Sequence, residues 1–256
     1  MKNNTLLTTS AIAALLFSSA SFAQTAKFTG PSIALTGSIN SVDNQIKNSN
    51  SSYDIGSTLL DIESTFNPSL STNNTSTGLD LNYGFAAGNN FVLGVGLTYD
   101  FGKGKSSYAY DTQQEYDGED NVKTGIIVTS QLKNHRSIYI QPTYVVNKDS
   151  AMFAKFGRHY AKANVNSAFC SDLNIYDDSD CGTIYTQQSN KTIHGWGYGL
   201  GLKTFLTENL FVQAEGGIVK YSSYNLPDAV DNEDAYLSTN TKTTVKNATI
   251  SIGYKF

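Results

Sequence analysis

Apolar and polar side chains alternate with a period of two along most of this chain. The clearest case is the end: in NATISIGYKF, Ala248, Ile250, Ile252, Tyr254 and Phe256 fall on one face and Thr249, Ser251, Gly253 and Lys255 on the other. A strand puts alternate side chains on opposite faces, so the pattern predicts a strand with one apolar and one small, polar face. The same rhythm predicts strands over about 29–42, 76–87 and 91–101, the last with Phe91, Leu93, Val95, Leu97, Tyr99 and Phe101 in one series. Further along, Ile126, Val128, Leu132, Ile138, Ile140, Tyr144 and Val146 share one parity, which predicts one long strand reaching from about 124 to 146, or a strand plus its extension above the membrane, with only about 137–147 in lipid. Pro142 has no N–H for a ladder and marks a local defect in it. Three more strands follow, over about 151–164, 192–206 and 210–223, before the closing one.

The connections alternate. Gly88-Asn89-Asn90, Asn147 to Ser150, and Thr207-Glu208-Asn209 are tight turns, built from residues that tolerate turn geometry. The other four, about 43–75, 102–123, 165–191 and 224–242, are long and polar and read as loops. Inside the first of them STLLDIESTF carries the spacing of a short amphipathic turn of helix. Eight antiparallel strands with short turns at one end and long loops at the other predict an all-β, transmembrane β-barrel, its turns periplasmic and its loops extracellular. A soluble barrel would need its bulky residues inside. Here the bulky face carries the Leu, Ile, Tyr and Phe, and the other carries Gly, Ser, Thr, Asn and charges. In water that arrangement has no core to offset chain entropy; in lipid it does, and closure leaves no strand edge. Trp196, Tyr198, Tyr99 and Phe101 are placed as an outer aromatic girdle, and Tyr83, Phe85, Phe91, Tyr254 and Phe256 as an inner one.

Residues 1–23 read as a secretory signal, with Lys2, an apolar run over Leu6 to Phe17 and the cleavage triplet Ser21-Phe22-Ala23. Residues 24–256 then form one barrel domain, exported through the periplasm to the outer membrane. Losing Lys2 leaves 17 basic against 22 acidic side chains, a formal charge of −5, and no basic stripe along the chain points to a nucleic-acid partner. Cys170 and Cys181 lie in one polar loop of an exported chain, which predicts a disulfide between them.

The closing GYKF, the hairpin FAAGNNFVLGVGLTYDF and the Gly-rich WGYGLGLKTFLTENLFVQAEGG resemble the small outer-membrane, opacity-like β-barrel (porin-domain) superfamily. The resemblance spans about residues 30–256. It implies that Phe256, with Tyr254 two before it, is the signal read by the barrel-assembly machinery. Ser251 stands where the family often has Gly, five residues before the end.

Candidate chemistry is sparse. Lys155, Lys203 and Glu215 face inward, four or five residues from the periplasmic ends of neighbouring strands, and are expected to form one ion-pair cluster. It either satisfies buried charges or bars a narrow pore. His159 and His194 fall near the outer ends of adjacent strands and read as rim histidines; neither is followed by Ser in a His-x-Ser pattern. The loop acids lack the spacing of a calcium loop. The expectation is therefore a non-enzymatic, adhesin-like surface protein with no cofactor and no metal, in contact with outer-membrane lipid and lipopolysaccharide and with an extracellular ligand. A small passive porin is the alternative, and a lipid-modifying barrel enzyme the third.

Overall fold

The computed structural model describes residues 25–55, 58–62, 69–116, 120–171, 183–226 and 235–256. After a one-turn 3-10 helix, Ala26–Phe28, come β1 (Gly30–Ile55), β2 (Thr58–Ile62), β3 (Ser69–Ala86), β4 (Phe91–Asp100), β5 (Lys103–Tyr116), β6 (Asp120–Val145), β7 (Ser150–Ser171), β8 (Thr183–Phe205), β9 (Leu210–Tyr221), β10 (Tyr224–Leu226) and β11 (Ala235–Lys255). Eight of these make the barrel: β1, β3, β4, β6, β7, β8, β9 and β11 pair antiparallel in that order. β11 closes on β1, with Ile33 opposite Tyr254 and Leu35 opposite Ile252.

The outward face is apolar through the middle of every strand. Leu35 is 56% exposed, Leu200 70% and Ile250 72%, values that only a hydrocarbon surround makes favourable. Each such side chain removed from water contributes roughly 1.5–3 kcal/mol. The residues placed in the two aromatic girdles all point outward, and Trp196 stacks on Phe156 with centroids 5.0 Å apart.

The lumen changes character along its length. At the periplasmic end Phe28, Ala34, Val92, Val145, Ala151, Phe205 and Phe211 pack into an apolar plug. The middle is polar. Towards the outside the inward face turns apolar again, with Val42, Leu132, Ala163, Val165, Ile193, Val219 and Tyr221 in one cluster. On β11 the inward series runs Ser251, Thr249, Asn247 and then Val245 without a change of phase. The solvent has changed instead: beyond the bilayer the outer face meets water, so the strands bury their apolar positions inward like those of any water-soluble sheet.

Several expectations are corrected here. Much of what reads as loop is strand: β1 runs on to Ile55, β3 starts at Ser69, and β5 occupies Lys103–Tyr116. Residues Thr58–Ile62, read as part of a helical turn, form strand β2 paired with the top of β1. The long β6 is one strand, but its shared parity hides a bulge. Register shifts between Lys133 and Arg136, and Asn134 takes φ 52°. Leu132 is therefore buried inside while Ile138 and Ile140 face out. The expected defect at Pro142 is local: pairing with β7 skips from Ile140–Phe156 to Thr143–Phe153 without a change of register. Residues 1–23 and Cys181 lie outside the described residues, and with them the signal segment and the Cys170–Cys181 disulfide.

Above the bilayer the barrel divides. Among the described residues β5 pairs with β6 alone, and the outermost hydrogen bond between the β3 and β4 sides is Phe101 N–H to Thr77 O at 2.8 Å. On the opposite side β8 and β9 part beyond Ser222 N–H to His194 O, also 2.8 Å, and β10 pairs only with β11. Among the described residues this leaves two sheets, β5–β6–β7–β8 and β10–β11–β1–β3, with the outer apolar cluster between them.

Candidate functional site

The polar middle of the lumen holds a cavity of about 110 Å³. Its floor is an ion-pair cluster. Lys155 Nζ on β7 lies 2.7 Å from Glu215 Oε2 on β9 and 3.1 Å from Asp80 Oδ2 on β3, and all three side chains are about a tenth exposed. The Tyr139 hydroxyl on β6 donates to Asp80 Oδ1 and accepts from Asn82 Nδ2 at 3.2 Å. Lys155 Nζ also sits 4.4 Å over the Tyr139 ring. A carboxylate and an ammonium in a lumen this dry persist because each charge is paired and hydrogen-bonded. Gly199 makes the space: a Cβ there would lie 2.7 Å from Glu215 Oε1.

Of the three residues expected together, the structure joins Lys155 and Glu215 and leaves Lys203 out. Lys203 Nζ lies 4.2 Å from the Phe211 ring centroid, in the periplasmic half of the lumen. Counting residues from the turns placed the three at one depth. Barrel strands are tilted and staggered, however, and Lys155 is in register with Gly199, four positions further out on β8 than Lys203. Asp80, on a strand distant in sequence, takes the place assigned to Lys203.

On the outer wall of the cavity stands a group that sequence reasoning missed. His135 Nδ1 is bonded to Asp100 Oδ2, and His135 Nε2 lies 2.9 Å from His159 Nδ1. The two rings are nearly parallel, at 12°. His159 was expected at the rim in solvent; it faces the lumen instead, and His194 is the one of that pair that faces out. Gly197 admits the His159 ring, since a Cβ there would overlap Nε2. Alternation with Ile138 and Ile140 outward already places His135 inward; its meeting with His159 depends on the β6–β7 register, which periodicity does not give. Nearby, the Ser137 hydroxyl bonds to Thr98 Oγ1 at 2.6 Å, so it is committed to a neighbour other than the imidazoles.

Below the floor the plug closes the periplasmic mouth. Phe28 meets Phe205 edge-to-face at 5.1 Å, and Phe205 meets Phe211 at 5.5 Å. The helical turn that carries Phe28 is tied down outside the membrane. Lys27 Nζ lies 2.8 Å from Asp149 Oδ1 in the β6–β7 turn and 2.9 Å from Glu208 Oε1 in the β8–β9 turn. Hydrogen bonds to Asp149 and Glu208 raise the Lys27 ammonium above the usual lysine range, and the bond from Lys27 holds the Asp149 carboxyl below the usual carboxylate range. Lys255 Nζ donates to Ala26 O at 2.6 Å. Tyr254 and Phe256 point outward with rings 5.3 Å apart.

Solved outer-membrane proteins align with most of the chain at low identity. The attachment invasion locus protein Ail of Yersinia pestis aligns over 86% of this chain and 99% of its own at 13% identity, with a TM-score of 0.31. The outer-membrane protease OmpT from Escherichia coli aligns over 88% and 96% at 12% identity and a TM-score of 0.45. The outer membrane protein OprG from Pseudomonas aeruginosa aligns over 89% and 97% at 14% identity and a TM-score of 0.36. The closed circle of eight antiparallel strands with an apolar outer face is itself the transmembrane β-barrel fold. Similarity at these levels says nothing of function. No protein-family description matches the chain, and no curated protein matches it.

Proposed function

We propose that this barrel is a non-conducting, non-enzymatic surface protein of the outer membrane. Its strand extensions carry an adhesin-like, ligand-contacting surface beyond the lipid. The supporting observation is the interior itself. An aromatic plug, a hydrogen-bonded charge layer and an outer apolar cluster follow one another along the axis, which leaves no purpose for the lumen as a water path. The same outer cluster braces the extensions as packed sheets, the form a recognition surface needs. Against catalysis stands the Ser137 hydroxyl, bonded to Thr98 rather than to an imidazole.

The test is planar-bilayer recording of the refolded mature chain, with folding verified by the shifted gel mobility of unheated barrel. The expected result is silence, paired with adhesion of a non-adherent host strain that displays the protein. Stable single-channel steps would replace this reading with the porin, and adhesion unchanged by display would remove the surface role.

A further inference from the structure

Just beyond the outer aromatic girdle, one side of the barrel is studded with cations. Lys133 and Arg136 on β6, Arg158 and Lys162 on β7, and Lys220 on β9 all lie on outward-facing positions, their inward neighbours being Leu132, His135, Gly157, Ala161 and Val219. The register makes them contiguous. Lys133 is directly opposite Lys162, Arg136 is opposite Tyr160, and Arg158, Trp196 and Lys220 lie side by side across β7, β8 and β9. Directly opposed residues have Cβ atoms about 5 Å apart and diagonal ones about 7–8 Å, so the five cations form one patch. The Arg158 guanidinium lies 5.0 Å from the Trp196 ring, on the girdle itself.

Two features set this patch apart from an ordinary solvated face. Among the described residues none of the five has a carboxylate within ion-pair distance, and the outward positions around them on β6 to β9 hold Thr, Gln, Asn, His, Ile and aromatic residues, none of them acidic. On the next strand, β11, Lys246 lies diagonal to Lys220 and does have a partner, Asp43 at 3.0 Å. Further, Lys133 and Lys162 face each other across a strand pair, a like-charge contact that is destabilising unless an anion lies between them. Above them the outer face of the sheet continues as a shallow polar recess of Thr129, Gln131, Asn164, Asn166 and Gln188, all neutral hydrogen-bonding groups.

We infer that this patch is a binding site for a phosphate-bearing glycolipid headgroup of the outer leaflet. The depth selects the source, because the cations adjoin the girdle where headgroups lie. The charge selects the phosphate: guanidinium and ammonium groups form their strongest hydrogen bonds to such oxyanions. The amide- and hydroxyl-lined recess suits sugar hydroxyls. The inference rests on the outer-membrane surface reading proposed above, which the bilayer recording and display assay test separately from lipid binding.

The experiment is native mass spectrometry and fluorescence titration of the full mature barrel in nanodiscs, using lipid A with both phosphates and the same lipid with the phosphates removed. The variants are Arg136→Gln/Arg158→Gln/Lys162→Gln and, as the control at the other end of the barrel, Lys148→Gln in the β6–β7 turn. All four positions lie outside the lumen, and folding is checked by gel mobility. The phosphorylated lipid should bind selectively, with the triple variant weakened about tenfold or more and the control unchanged. Equal binding of both lipids, or full binding by the triple variant, would overturn the site. Binding of a soluble sulfated polysaccharide through the same residues, without preference for the phosphorylated lipid, would overturn it in favour of a soluble anionic partner.

Discussion

Lys155 neutralises two carboxylates at once, and its replacement leaves Asp80 and Glu215 facing each other with no counter-charge. Lys155→Met is expected to cost about 3–5 kcal/mol of stability, because it strands buried charge, whereas a triple variant that also carries Asp80→Asn and Glu215→Gln should recover part of that loss. Urea unfolding in phospholipid vesicles reads both. The inward charges of this layer were legible from alternation alone. Their partnership was not, since Asp80 and Lys155 are 75 residues apart and only the stagger of the strands brings them to one height. At the neighbouring histidines Gly197→Ala would push a methyl into the His159 ring. The expected outcome is loss of the His135–His159 hydrogen bond with the barrel still folded, seen as a change in the imidazole nitrogen shifts.

At the scale of elements, the bulge in β6 decides which way a strand segment faces. Asn134 is at φ 52°, a region that Asn and Gly adopt with little strain and β-branched residues do not. Asn134→Gly should therefore be tolerated. Deleting Asn134 would leave His135 alone opposite Ala161 and make the alternation regular, so Leu132 should stay inward and Lys133 outward, with the extracellular sheets still protease-resistant and the membrane belt keeping its heat-modifiable mobility. The eight membrane strands could be found because their apolar face was continuous. The extensions were misread as loops because their outward face is polar and the inward apolar positions, such as Val165 and Tyr224, are few and widely spaced. The helical turn before β1 makes a prediction in pH. Its link through Asp149 is present at neutral pH, since that carboxyl is held below its usual range; the contribution is lost as pH falls through the lowered value. The Lys27 contribution runs the other way and is lost only as pH rises through its raised value. Amide exchange around Phe28 should accordingly quicken in acid below the usual carboxylate range and in strong alkali, with a broad protected window between.

For the whole molecule, the stacked layers make closure redundant. Phe28→Ala removes the aromatic contact with Phe205 but leaves Tyr139, Asp80, Lys155 and Glu215 across the lumen. That variant should stay silent in a planar bilayer, and only its combination with Tyr139→Ala should give current steps. Single-channel recording distinguishes the two.

The helical turn at Ala26–Phe28 bears on the order of events during assembly. Its bonds run to the β6–β7 turn, to the β8–β9 turn and to Lys255 at the end of the last strand. The helical turn precedes β1, so it reaches all three points together only when β1 has met β11. The first described residues of the chain are thus the last to find their place. A partly assembled barrel has an open periplasmic mouth, and the seating of Phe28 records that the circle of strands is complete.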